Sequence, residues 1–142
     1  MNKEKNYRVI VYTYVCGDIL HKGHLLYLKN CKKMGDVLIV GVLTDDAVME
    51  KKDKPIISFE ERLEMVGSLE CVDVAVPQDD YAPWKNIKNI KPDILIESES
   101  HDDNILNGSR KIVDNIGGRL IIIPYYPLQS STIIKNKIKK GI

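Results

Sequence analysis

Two histidines three residues apart, His21 and His24, stand with Gly23 between them and with Cys16 and Asp18 just ahead of them. On a helical turn, residues three apart share a face, so both imidazoles would present to one ligand. Gly23 has no side chain to block a ligand that approaches the backbone. A helix amino end adds unpaired N–H groups and partial positive charge, and together these features read as a cradle for phosphates. Imidazole suits a transferring phosphoryl group because it is a directional donor that can follow an oxygen as charge builds on it, whereas an ammonium is a point charge. Cys16, Asp18, His21 and His24 are also all metal-ligand types, so a transition-metal site is the alternative reading of the segment, with a surface helix cap as the third. The lack of an obvious Ser/His/Asp or Cys/His arrangement fits phosphoryl chemistry. An acceptor that already bears an ionised phosphate needs positioning and charge neutralisation rather than a general base.

The elements that must hold this segment follow from patterning. Short apolar runs rich in β-branched residues recur at 7–15, 37–43, 72–76, 93–97 and 119–124, each bounded by Gly, Asp or Pro, which is the signature of buried strands. Between them, helical spacing covers 22–34 with Leu25, Leu26 and Leu28 inward, then 58–69, 84–90, 103–116 and 130–140. Ser58 and Glu61 have the spacing of a capping box at the start of one helix. Alternating strands and helices predict an α/β fold: one doubly wound, parallel, five-stranded sheet with helices on both faces. Such sheets bind ligands beyond the carboxyl ends of their strands, where the strand order reverses, so function is expected in those loops.

At 142 residues with 44% apolar side chains, the chain predicts a single domain over 1–142. Twenty-one Lys and Arg balance twenty Asp and Glu to a net charge of +1, which excludes the bulk field that nucleic-acid or membrane-surface binding would use. Three cysteines, Cys16, Cys31 and Cys71, are odd in number and sit in apolar or helical contexts, which predicts buried thiols in a reducing compartment. No apolar stretch approaches membrane-spanning length, so a cytoplasmic protein without membrane insertion is expected. The lysines of the tail, Lys135, Lys137, Lys139 and Lys140, read as a solvated helix face.

The segment Asp18-Ile19-Leu20-His21-Lys22-Gly23-His24 resembles the His-x-Gly-His signature of the cytidylyltransferase-like nucleotidyltransferase superfamily, whose fold is Rossmann-like. Leu-Ile-Val-Gly-Val-Leu-Thr from Leu38 to Thr44, Lys54-Pro55 and Ser58-Phe59-Glu60-Glu61-Arg62 resemble the middle of glycerol-3-phosphate and ethanolamine-phosphate cytidylyltransferases. Ser130-Ser131-Thr132-Ile133-Ile134 resembles their closing motif, so the likeness runs in order along nearly the whole chain. The resemblance implies transfer of CMP from CTP to a small phosphorylated or phosphonate alcohol with release of pyrophosphate. It implies that His21 and His24 hold the triphosphate and stabilise the transition state, and that Lys54, Arg62, Ser131 and Thr132 contact phosphates. By the same likeness Val15, Cys16, Gly17, Asp18, Gly23 and Ser130 would line the nucleotide, and Ser98 and Glu99 the base or acceptor. It implies Mg²⁺ carried on phosphate oxygens, with Asp18 as a possible orienting group, and a homodimer.

Three stretches depart from the family pattern. Val15-Cys16-Gly17-Asp18 replaces Gly-Thr-Phe-Asp, Tyr125-Tyr126-Pro127-Leu128 replaces the arginine-bearing Arg-Thr-x-Gly, and Ser98-Glu99-Ser100-His101 replaces Gly-Asp-Asp or Gly-Asp-Trp. If Glu97 and Glu99 both face the acceptor, they would favour a cationic head such as phosphoethanolamine. Trp84, Tyr125 and Tyr126 could stack on a base or enclose an ammonium, or simply pack. The competing functions are an adenylyltransferase of the same fold, using ATP and a phosphopantetheine, mononucleotide or FMN acceptor, and a nucleotide- or metal-binding module without turnover.

Overall fold

A computed structural model of the chain describes residues 8–99, 101–124 and 131–141. The β-branched runs form the strands β1 (Ile10–Val15), β2 (Val37–Leu43), β3 (Val74–Gln78), β4 (Ile94–Ser98) and β5 (Arg119–Ile123). The helices are α1 (Lys22–Lys32), α2 (Asp45–Met49), α3 (Phe59–Gly67), α4 (Trp84–Ile90), α5 (Asp103–Asn115) and α6 (Ser131–Lys139). All pairings are parallel and the strand order is β3-β2-β1-β4-β5. After β3 the chain therefore crosses to the far side of β1, and the order reverses between β1 and β4.

Side-chain alternation along β1 builds two cores. Val11 and Val15 pack with Leu28 and Cys31 of α1 and Val66 of α3, while Tyr12 and Tyr14 pack with Ile87 of α4 and Val113 of α5. The sheet is thus covered on both faces, as the near-continuous apolar run of β2 requires. On α1 the fully buried apolar residues are Leu28 and Cys31. Leu25 and Leu26, expected inward, are only half-buried, because the amino end of this helix overhangs a cavity rather than the core. The five residues of α2 carry no legible period; Thr44 caps them, its hydroxyl accepting from the Ala47 amide at 3.2 Å.

Gly41 in β2 has a packing reason. A Cβ there would collide with the Tyr12 hydroxyl, which crosses beneath β2 to donate to Gln78 Oε1 of β3 at 2.6 Å. Asn86 of α4 donates to the same hydroxyl at 2.9 Å. Buried polar groups must be paired, and these three satisfy one another. No helix among the described residues is long and apolar enough to cross a membrane.

Candidate active site

The carboxyl ends of β1 and β4 and the amino ends of α1 and α6 enclose a cavity of about 630 Å³. Its position at the strand-order reversal is where an open parallel sheet binds its ligand. Two structural devices shape the approach. Gly17 adopts φ +75°, a left-handed turn that a side chain would strain, and turns the chain sharply after β1. His21 then caps α1, and its Nδ1 accepts from the Gly23 amide at 2.9 Å, while His24 Nδ1 accepts from the His21 amide at 3.2 Å.

These bonds fix the chemistry of the pair. A backbone N–H can only donate, so both Nδ1 atoms are acceptors, and in the neutral rings both hydrogens reside on Nε2. The two rings lie 4.2 Å apart between centroids, tilted by 54°. Burial, with the neighbouring His21, pushes the His24 imidazole down to about 4 despite the opposing charge of Asp18, and burial lowers His21 as well. The cavity thus presents two neutral imidazoles, each with an Nε2–H free of protein partners among the described residues. A polyanion would find two directional donors at a helix amino end.

Val15, Cys16, Asp18, Gly23, Ser98, Ser131 and Thr132 line the same cavity with the histidines. Among the described residues, Lys54, Gly17, Glu99 and Arg62 do not. Lys54 is exposed, and its neighbours Lys51, Lys52, Asp53 and Pro55 contribute instead. Gly17 is buried against Val66, and Glu99 is exposed outside the lining. Ser130, Tyr125, Tyr126 and Ser100 lie outside the described residues.

Arg62 departs most from expectation: it is fully buried and acts as a strut beneath the cavity rather than a phosphate contact. Its Nη1 donates to the Cys16 carbonyl at 2.6 Å and the Leu43 carbonyl at 2.7 Å, Nη2 pairs with Asp45 at 2.7 Å, and Nε donates to the Ile57 carbonyl at 3.0 Å. The planar fork is needed because these groups come from the ends of β1 and β2, from α2 and from the loop before α3.

Asp18 is also spoken for. Its carboxylate accepts from the Ile56 and Ile57 amides at 3.0 and 2.9 Å and pairs with Lys135 at 2.6 Å. Burial pushes this carboxyl up, but the bonds from Lys135, Ile56 and Ile57 and the Lys135 charge outweigh it and hold it below the usual carboxylate range. Both oxygens being engaged, Asp18 does not fit the role of a Mg²⁺ ligand, and no reaction step is assigned through one. The transition-metal reading fares no better. Burial keeps the Cys16 thiol protonated against the pull of Arg62, and no cluster among the described residues is arranged to hold a metal ion.

Lys51, Lys52, Tyr81 and Asn136 line the cavity without a signal in the sequence, and two further residues read differently there. Lys135 and Lys139 were expected on a solvated face, yet they share one face of α6 with Ser131 and reach the cavity. Their i, i+4 spacing from Ser131 was the available signal. Trp84 is the reverse case: its indole N–H donates to Ser109 Oγ and the Ile105 carbonyl, so it packs α4 on α5 away from the cavity. Glu97 is fully buried, bound by Tyr14, Ser109 and His101, and does not face an acceptor as a bare charge.

A parallel sheet of this order, with a histidine-lined cavity at its reversal point, has the architecture of a Rossmann-like nucleotidyltransferase domain. Comparison with known proteins makes the assignment particular. Residues 14–137 match the cytidylyltransferase-like family, and the chain belongs to it. It is 36% identical over 143 aligned positions to the bifunctional protein HldE of Campylobacter fetus, covering 96% of this chain and 29% of that protein. HldE of Helicobacter pylori strain J99 is 35% identical, with the same coverages of 96% and 29%. The chain thus spans less than a third of these relatives' length. Among solved structures, a lipopolysaccharide core biosynthesis protein from Thermoplasma volcanium superposes with TM-score 0.72 at 28% identity, over 87% of this chain and all of that one. A pantoate-beta-alanine ligase from Francisella tularensis shares the fold with TM-score 0.61 at 18% identity, over 99% of this chain and 72% of that one.

Proposed function

We propose that the chain transfers a nucleoside monophosphate, CMP in the first instance, from its triphosphate to a small phosphorylated alcohol. An anionic oxygen of the acceptor phosphate attacks the α-phosphorus, a phosphoanhydride bond forms, and the bond to the bridging oxygen breaks, releasing pyrophosphate. The observation that carries this reading is the His21 and His24 pair, whose Nε2–H groups converge on one cavity at the amino end of α1. They would neutralise the charge that builds on the bridging oxygen. Magnesium, expected from the resemblance, would travel on the phosphate oxygens.

The cavity's cations argue for the acceptor. Lys51, Lys52, Lys135 and Lys139 line it against Asp18 and Asp53, and although Lys135 pairs with Asp18 and Lys51 with Asp102, the lining keeps a cationic excess, which suits two anionic phosphates and disfavours the cationic head that Glu97 and Glu99 suggested. A sugar or polyol phosphate is therefore the proposed acceptor, in keeping with the likeness to a lipopolysaccharide core biosynthesis protein. ATP is the second donor reading. The relatives described above carry the HldE name rather than that of a CDP-alcohol-forming enzyme, and a polyphosphate cradle is indifferent to the base.

Pyrophosphate release with each ribonucleoside triphosphate, crossed with glycerol 3-phosphate, sugar phosphates and phosphoethanolamine, tests donor and acceptor together. His24→Ala should lower turnover by about a thousandfold or more, the usual worth of a preorganised transition-state donor, and leave the fold intact. Unchanged turnover in that variant would defeat the reading. Sedimentation at assay concentration tests the homodimer.

A further inference from the structure

The chain has three histidines, and all three line this one cavity. Two are locked as donors by backbone amides. The third is locked in the opposite sense. Glu97, 0% exposed, receives the Tyr14 hydroxyl at 2.6 Å on one oxygen and the Ser109 hydroxyl at 3.1 Å on the other, and His101 Nδ1 lies 2.5 Å from the first. Tyr14 Oη also lies 3.0 Å from His101 Nδ1, but its single hydrogen goes to the nearer Glu97 oxygen, so the short Nδ1 contact with that carboxylate takes its hydrogen from His101. In the neutral ring, Nε2 then keeps its lone pair. Rotation is restricted, because the ring stacks on Tyr14 at 5.0 Å and meets Tyr81 edge-on at 6.2 Å. With Nδ1 turned to the buried carboxylate, Nε2 is left on the cavity side without a protein partner among the described residues.

We propose that His101 reads the acceptor substrate: its Nε2 lone pair takes a hydrogen bond from a hydroxyl of a polyol or sugar phosphate. This inference rests on the nucleotidyl-transfer reading above and names the acceptor class for that site. Ionised phosphate has no hydrogen to offer such a nitrogen, so the phosphates belong with His21 and His24. An ammonium head is disfavoured because Lys52 and Lys139 line the cavity without a carboxylate partner among the described residues. The same lysines suit an acceptor that carries hydroxyl and phosphate together. Glu97 acts through His101 as a positioning residue, by fixing the tautomer.

The test begins with the tautomers. Nitrogen-15 spectra of the full chain, assigned by three single-histidine variants, are recorded at a pH of about 8, above the ordinary imidazole value. His101 should carry its hydrogen on Nδ1, and His21 and His24 theirs on Nε2. Glycerol 3-phosphate, ribose 5-phosphate or glucose 1-phosphate should shift His101 Nε2, and propyl phosphate, equally charged but without a hydroxyl, should not. Glu97→Gln, whose amide can donate to Nδ1 and reverse the tautomer, should raise KM for the responding sugar or polyol phosphate about tenfold, the usual worth of one hydrogen bond. KM for the triphosphate should stay within about twofold. An Nε2–H tautomer at His101 in the free protein, no response to any of the hydroxylated probes, or an equal response to propyl phosphate overturns the inference. So does a His101 response to CTP that UTP lacks, since the nitrogen would then read the base. If no triphosphate perturbs His21 or His24, nucleotidyl transfer fails, whereas the sugar-phosphate response reports on His101 alone.

Discussion

Lys135 of α6 and Asp18 of the loop after β1 form an ion pair of 2.6 Å, so the last helix is tied to the turn that presents the histidines. Ser131 strengthens the tie by donating its hydroxyl to the Asp18 carbonyl. Asp18 in turn grips the Ile56 and Ile57 amides. One carboxylate thereby joins three sides of the cavity. Asp18→Asn should loosen all three, lowering stability by about 1.5–3 kcal/mol, the range for hydrogen bonds to a charged group. Hydrogen exchange would register the change as faster labelling of residues 53–57 and of α6, with β1 and β2 unaffected.

Arg62→Ala should act on folding first. Removing the guanidinium strands the Cys16, Leu43 and Ile57 carbonyls and the Asp45 carboxylate, for a loss of about 3–5 kcal/mol. Arg62→Lys should recover little of it, because a single ammonium cannot span four acceptors. Urea denaturation checks both variants. A fully stable Arg62→Ala protein with only a raised KM for triphosphate would instead restore the phosphate-contact role.

The histidine pair gives the free protein a pH dependence of known sign. His24 titrates near 4 in the folded chain and near the ordinary imidazole value when unfolded. The unfolded state therefore binds the proton first, so stability is complete above about 6.5 and is lost as pH falls toward 4. His21 contributes in the same direction. The melting temperature should fall through this window, and His24→Gln should flatten its upper part. A bound polyanion favours the charged rings and should oppose the fall.

Gly17→Ala tests the turn after β1. The residue would hold φ +75° with its new methyl 3.2 Å from Val66, so a loss of about 1–2 kcal/mol is expected. Turnover should fall further than stability alone explains, since His21 hangs from that turn; kinetics measured well below the melting temperature separates the two effects.

The limits of β2 were legible because it is apolar almost throughout, and the expected 37–43 match the strand, whereas the run expected at 72–76 pairs as Val74–Gln78 and the strand expected from 7 starts at Ile10. The placement of His21, Gly23 and His24 together on one cavity was legible for a local reason: they lie within one helical turn, where spacing alone fixes geometry. The roles of Arg62 and Asp18 were not, because a charged residue near a motif looks the same whether it faces the ligand or braces the loop behind it. Long-range pairing decides between those roles, and it depends on folded contacts such as Arg62 with Leu43 or Asp18 with Lys135. His101 escaped notice because its partners Tyr14 and Glu97 lie on two strands, 87 and 4 residues away.

The hydroxyl of Tyr12, passing under the bare backbone of Gly41 to Gln78, stitches three neighbouring strands with a side-chain thread in addition to their ladders. That half of the sheet should consequently open as one cooperative block. Gly41→Ala would cut the stitch and let the outer strand fray ahead of the others.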